Sequence, residues 1–317
     1  MISGATRLRR LDNVIWILIA LVAVFIPITA TVSEFTIALQ SFIAPASVCL
    51  LLKLGAYYYG DRRTAYDLAS VFESTTQLVA FSAVAAPLSY IAAAASLSLQ
   101  DAALAHLDHA FGFDWKALLA LMDNSPRFFK LMHAAYLSLM PQMIAAVLLL
   151  GFTRRLAWLR VYMLAFIFAA LVTIAISTFL PAKGAWLHYE ITDTTVALPI
   201  SHTSWPVFFG LRDGSFRLLT AMGAEGIITF PSLHAALAVI LVMAFWPVPI
   251  ARWIAVAINS LTIMATPIDG SHYFIDVLAG IAIAILCFAA ARALVMRLIV
   301  PVTSFAIHGA AAGENLF

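Results

Sequence analysis

The segment GSHYFIDVLAG, from Gly270 to Gly280, sets His272 and Asp276 four residues apart at the mouth of an apolar run. A second apolar run opens with FPSLHAALAVI, from Phe230 to Ile240, and carries His234 close to its start. Ionisable groups are costly at bilayer depth, so where they occur they are usually functional. Residues four apart share a helix face, so the Asp276 carboxylate can accept a hydrogen bond from one nitrogen of the His272 imidazole. A histidine held in this way is oriented and made more basic, ready to attack phosphorus or to take a proton. A second histidine, on another helix, can protonate the departing oxygen. His272, His234 and Asp276 therefore form a catalytic set for phosphoryl transfer through a covalent histidine intermediate, and that set calls for no metal and no cofactor.

Anion binding has candidates at the same two places. Pro231 suits the first position of a helix, which would leave the backbone N–H groups of Ser232, Leu233 and His234 pointing outward with the positive end of the dipole. Gly270 and Ser271 open the second helix in the same manner. Helix starts of this kind bind phosphate, so Ser232 and Ser271 are expected at the substrate phosphate.

The elements that must position these groups are membrane helices. The chain is 63% hydrophobic and only 11% charged, with a mean hydropathy of +0.98, against about 45–50% apolar and 25% charged for soluble domains. A spanning helix needs about 20 apolar residues. By that measure spans fall near 13–32, 35–58, 75–98, 129–151, 159–181, 230–247, 253–268 and 273–296, eight in all, with two longer polar-containing segments at 99–128 and 182–229. The apolar run after the N-terminal arginines exceeds a signal-peptide core of roughly 7–15 residues, so it is read as a retained helix. Of 18 Lys and Arg, 12 fall on one side: Arg7, Arg9, Arg10, Lys53, Arg62, Arg63, Arg154, Arg155, Arg160, Arg252, Arg292 and Arg297. Positive residues mark the cytoplasmic side. Both termini are then cytoplasmic, and both histidines lie at the outer face.

Rival readings are weaker. A lone membrane histidine often only hydrogen-bonds a neighbouring helix, but a pair at one face with a carboxylate in register asks for more. Zinc would take two histidines and an aspartate, yet nothing supplies a second shell. A proton-coupled transporter would want midplane charges and internal repeats, and neither is seen. Cys49 and Cys287 sit in apolar runs as small core residues, and no nucleic-acid signature occurs. His106 and His109 flank Asp108 in a short amphipathic stretch that reads as surface. His133, His188 and His202 have no partner in register, and Tyr136 and Gln142 read as interhelical hydrogen-bonding groups.

These motifs resemble the type 2 phosphatidic acid phosphatase superfamily. FPSLH and GSHYFIDVLAG look like its two C-terminal motifs, and LPAKGAW at 180–186, LRDGSFRLL at 211–219 and LDHAFGFDW at 107–115 resemble its inositol phosphorylceramide synthase-like branch. The resemblance covers roughly residues 100–296. It implies that His272 is the nucleophile, that Asp276 orients it and that His234 is the acid. The superfamily's first motif, KxxxxxxRP, is missing, and Thr266 stands where an arginine usually precedes the nucleophile by six residues. Lys183, Arg212 and Arg217 in the outward segment are the available substitutes at the substrate phosphate.

The expected protein is an all-α polytopic membrane enzyme of about eight helices with a six-helix phosphatidic acid phosphatase-type core. It divides into N-terminal membrane helices at 1–98, a catalytic membrane domain at 99–300 and a tail at 301–317. The expected reaction moves a phosphoryl group or phospho-headgroup from a lipid substrate to a lipid alcohol acceptor, such as a ceramide- or diacylglycerol-like molecule. The alternatives are a lipid-phosphate phosphatase using water and, from another class, a lipid-binding or transport protein. Its expected location is a bacterial inner membrane, with the active site on the periplasmic side. The scarcity of cations favours a singly charged phosphodiester, which a headgroup transferase consumes, over a phosphomonoester carrying about −1.5 to −2.

Overall fold

A computed structural model describes residues 4–221 and 227–299. The expected tail at 301–317 lies outside the described residues. The helices are α1 (Gly4–Val32), α2 (Ile43–Tyr57), α3 (Tyr66–Ala94), α4 (Asp101–Ala110), α5 (Trp115–Asp123), α6 (Pro126–Leu137), α7 (Leu139–Phe152), α8 (Leu156–Phe179), α9 (Ala185–His188), α10 (Trp205–Asp213), α11 (Leu233–Phe245), α12 (Pro249–Asp269) and α13 (Phe274–Ile299). One parallel strand pair of two residues each, Thr36–Ile37 with Leu218–Leu219, ties the α1–α2 connection to the long loop before α11. The molecule is an all-α polytopic membrane protein.

Among the described residues six helices are long and apolar enough to cross a bilayer, or seven if the bent pair α6–α7 is one span, where about eight were expected. The fourth expected span is two helices, α6 and α7, bent by 47°. Pro141 has no N–H to bond back into the preceding turn, so the helix breaks before it. At the break Ser138 turns its hydroxyl onto the Ala135 carbonyl at 2.6 Å, and Gln142 Nε2 donates to that hydroxyl at 2.9 Å. The sixth expected span is α11, only 13 residues, which at 1.5 Å per residue is about 20 Å against a hydrocarbon core of about 30 Å. It starts late because Ser232 serves as its N-cap. Pro231 therefore lies before the helix rather than in its first turn, joined to Phe230 by a cis peptide bond. α11 packs against α7, α8, α12 and α13.

α8 is the central post. Leu159, Val161, Tyr162, Met163, Leu164 and Ala165 are all fully buried in it, among α3, α11 and α13. Arg160 belongs to this post and not to a cytoplasmic connection. It is 2% exposed and grips Asp12 of α1 bidentately, Nε to Oδ1 at 3.1 Å and Nη2 to Oδ2 at 2.9 Å, with Gln77 of α3 also donating to Asp12 at 3.3 Å. Removing one partner of a buried ion pair strands the other. Asp12→Ala is therefore expected to cost about 3–5 kcal/mol, read as a lowered thermal midpoint in detergent, while Asp12→Asn loses less.

The start of α1 meets the end of α13, where Arg7 donates to the Ile299 carbonyl at 2.7 Å. Arg9–Asp61, Lys53–Glu73 and Arg154–Asp67 ion pairs gather at the same end. The opposite end is roofed by α4, α5, α9 and a second apolar core around Trp115, Trp186, Tyr136 and Tyr273. The starts of α11 and α13 and the end of α12 meet beneath that roof.

Candidate active site

α12 ends at Asp269 and α13 begins at Phe274, so His272 sits in the tight turn between them. Its Nδ1 is 3.2 Å from Asp276 Oδ2, and the same oxygen accepts the Tyr273 N–H at 2.9 Å. Asp276 is fully buried, and its Oδ1 accepts nothing among the described residues. Burial pushes the His272 imidazole below its ordinary range, with the backbone of Thr229 pulling the other way. His272 is therefore neutral near pH 7, the form in which an imidazole is a nucleophile.

The turn is held from every side. The His272 N–H donates to the Pro267 carbonyl at 3.1 Å. Trp115 Nε1 lies 3.2 Å from the His272 carbonyl and 3.3 Å from that of Pro267. Ser271 has a φ of +59°, a strained conformation that only a well-determined surrounding sustains. Its carbonyl accepts the Ala185 N–H at 2.9 Å, and its hydroxyl accepts the Trp186 N–H at 3.1 Å. LPAKGAW thus forms a clamp on the turn. Gly184, at φ +100°, leaves room for Ser271, whose Oγ would be 2.6 Å from a Cβ. Gly270 likewise admits the imidazole, for a Cβ there would lie 2.5 Å from His272 Cδ2.

His234 comes from the first turn of α11. α11 and α13 close on each other where the Ser232 N–H donates to the Asp276 carbonyl at 3.1 Å. Gly280 makes this approach feasible, since a Cβ there would strike the Ser232 carbonyl oxygen and crowd Ala235. The His234 ring lies flat on Tyr136 of α6, centroids 4.6 Å apart at 14°, and stands close enough to His272 for the two to interact electrostatically. It makes no hydrogen bond among the described residues.

Two carboxylates of α4 complete the site, and sequence reasoning missed both. Asp108, read above as part of a surface stretch, is fully buried and accepts the N–H groups of Phe274 and Ile275 at 2.8 and 2.9 Å. Burial raises its carboxyl above the usual range, while those two N–H groups lower it. Asp101 accepts the backbone N–H groups of Lys183 and Gly184 and the Tyr273 hydroxyl, the last at 2.8 Å. Burial and Asp101 together push the Tyr273 phenol well above its ordinary value. The readable signal was their seven-residue spacing on one face of an amphipathic helix.

The expected phosphate-binding groups fare differently. The start of α13 is not open to an anion, because Asp108 and Asp276 occupy its N–H groups. Ser271 Oγ is held by Trp186, and Ser232 Oγ caps α11 by accepting the Ala235 N–H at 3.3 Å; both serines are buried. The Ser232 N–H is likewise spoken for, so only Leu233 and His234 remain at that helix start. Arg212 donates to the Leu97 carbonyl at 2.7 Å and lies over the Phe208 ring, and burial lowers its otherwise high pKa. Arg217 donates to the Leu211 and Phe216 carbonyls and lies over Phe35. The Lys183 ammonium makes no hydrogen bond or ion pair among the described residues, and its backbone is fixed by Asp101 at the edge of the clamp.

His133 does have a partner. Its Nδ1 is 2.6 Å from Oδ1 of Asp269, the last residue of α12. Gln142 accepts from Asn259 at 2.7 Å across α7 and α12, the interhelical bond expected of it. Among the described residues no group of three His, Cys, Asp or Glu is arranged to hold a metal ion.

A family model described as PAP2 superfamily matches residues 102–290, with His133, His234, Asp269, His272 and Asp276 inside the match. No curated protein and no solved structure matches the chain. Since the match takes in more than half of the sequence and both histidine motifs, the chain belongs to the PAP2 superfamily, whose members are generally phosphatases or phosphotransferases.

Proposed function

We propose that this protein is a membrane-embedded phosphotransferase that moves a phosphoryl group or phospho-headgroup between lipids through a phosphohistidine on His272. His272 attacks phosphorus while Asp276 stabilises the imidazolium character that develops, and His234 gives a proton to the departing oxygen. An acceptor hydroxyl then takes the group from His272. The observation that carries this reading is the His272–Asp276 hydrogen bond within an enclosure that also holds His234.

The charge inventory favours transfer over hydrolysis. Asp101, Asp108 and Asp276 bring three carboxylates to the turn, Arg212 and Arg217 donate to backbone carbonyls, and the Lys183 ammonium at its edge has no hydrogen bond or ion pair among the described residues. Binding a dianionic monoester in a partly dry site demands several cations, because unpaired buried charge is expensive. A phosphodiester carries a single negative charge and suits this site better. That is the substrate class of the inositol phosphorylceramide synthase-like branch that the motifs resemble.

Lipid is accommodated on the outside of the bundle. An apolar groove of about 740 Å³ runs between α1, α3 and α8, lined by Leu21, Phe25, Leu88, Ile91, Leu171 and Phe179, within the range of about 300–1,000 Å³ usual for ligand sites. A separate small cavity is lined by Ser89, Ala93 and Ser177 of α3 and α8 together with Thr229, whose backbone acts on the His272 ring. An acyl chain in this groove would place its headgroup toward the histidines. The arginine-rich end bears the start of α1 and the end of α13, and the positive-inside rule favours the cytoplasm for it, with the histidines at the periplasmic leaflet.

The test offers purified protein a phosphodiester lipid together with a ceramide- or diacylglycerol-like acceptor, and phosphatidic acid separately. Acceptor-dependent formation of a lipid carrying the moved headgroup is the expected result. Rapid release of inorganic phosphate from phosphatidic acid, indifferent to acceptor, would make the protein a phosphatase.

A further inference from the structure

The bundle holds a second histidine–aspartate pair that the route above leaves unused. Asp269 is 2% exposed, lies three residues before His272, and is bonded through Oδ1 to His133 Nδ1 at 2.6 Å. Its Oδ2 is buried and accepts no hydrogen bond among the described residues. His133 is 34% exposed at its side chain, and its second ring nitrogen has no partner among the described residues. One turn further along α6, on the same face, Tyr136 carries the His234 ring. His133, Tyr136, His234, Asp269 and His272 thus form one continuous group where α6, α11 and α12 meet.

The two helper histidines are built differently. A base for an incoming hydroxyl must be fixed in one tautomer and reachable from outside. His133 fulfils both, with Nδ1 held by Asp269 and Nε2 without a partner among the described residues on a side chain that is 34% exposed. Among the described residues His234 has no carboxylate and no hydrogen bond to fix its tautomer, and its ring rests on the face of Tyr136. We propose that the two half-reactions use different helpers, with His234 as the acid for the leaving group and the His133–Asp269 pair as the base for the acceptor. In the second half-reaction the acceptor oxygen bonds to phosphorus and the P–N bond to His272 breaks. Its electron pair returns to the imidazole, and the acceptor proton passes to His133 Nε2. His133 later releases that proton to solvent, from which His234 regains the one it gave away.

This inference rests on the phosphohistidine route, and one rapid-quench experiment separates their failures. The probe is a p-nitrophenyl phosphate ester, monoester or alkyl diester, whose leaving group needs no acid. In wild type, a burst of nitrophenol of about one equivalent per site should precede a slower steady phase. In His133→Gln, and separately in Asp269→Asn, the burst should persist while the steady phase falls roughly 10²–10³-fold, within the range of general-base contributions. Azide, a nucleophile with no proton to lose, should restore much of that steady phase. Two variants guard against misfolding, and a retained burst certifies the folded site. A structural role would depress burst and steady phase together and would not respond to azide, overturning the proposal; so would an unchanged steady phase in both variants. Turnover in wild type with no burst and no phosphoenzyme would sink the covalent route itself.

Discussion

His272→Ala is expected to abolish turnover, by roughly 10⁴–10⁶-fold, as loss of a covalent nucleophile does elsewhere. The imidazole is the only group in the turn with a carboxylate behind it and a phosphorus-reactive nitrogen ahead of it. Water cannot replace it, because Asp276 is fully buried and presents no free face to solvent. The turn itself should survive the substitution. Its backbone is held by the Pro267 carbonyl, by Trp115, and by the Ala185 and Trp186 N–H groups on Ser271. Asp276 keeps the Tyr273 N–H at 2.9 Å, and Asp108 keeps those of Phe274 and Ile275. The loss should therefore fall on kcat, with lipid binding and the thermal midpoint nearly unchanged, and His272→Gln should behave alike. Measured turnover within tenfold of wild type would remove His272 from the chemistry and point to another nucleophile or to direct displacement.

Asp276→Asn should lower kcat by roughly 10²–10⁴-fold. The native Oδ2 accepts two hydrogen bonds, from His272 Nδ1 and from the Tyr273 N–H. An amide keeps the shape yet offers only one oxygen. If that oxygen stays with the Tyr273 N–H, no charge supports the imidazolium. If the amide N–H₂ faces His272 Nδ1, it selects the other tautomer and moves the proton onto the attacking nitrogen. Either arrangement disables the nucleophile without emptying the space. Asp276→Ala goes further, opening a cavity and stranding the Tyr273 N–H, so it should also lower stability. Equal kcat losses from Asp276→Asn and Asp108→Asn would show that a carboxylate near the turn matters only for folding.

Much of this was legible in the sequence because the relevant spacings are local. His272 and Asp276 are one helical turn apart, and a histidine near the start of an apolar run follows from hydropathy alone. The positions of α1, α8, α12 and α13 follow from the length of their apolar runs. The bend before Pro141 was there to be read, since proline interrupts the hydrogen-bond ladder; the length of the apolar run hid it. α11 was drawn too long because Phe230 and Pro231 are apolar, although Ser232 is the residue that caps. What could not be read were contacts between segments far apart in the chain. Asp108 reaches Phe274, Asp101 reaches Tyr273, Ser271 reaches Trp186 and His133 reaches Asp269. No periodicity connects such residues; only the packing of α4, α6 and the LPAKGAW clamp over the turn does. These contacts also explain why a helix start that looks open in sequence is occupied in the fold.

The covalent route makes one demand that no binding protein or direct-displacement enzyme shares. Wild-type protein turning over a lipid labelled at phosphorus, quenched in alkali within milliseconds and digested, should carry label on the peptide containing His272. That label should approach one equivalent per active site, withstand base, vanish in acid and be absent from His272→Ala. Product formation at full rate with no label on His272, or label on another residue, would contradict the account.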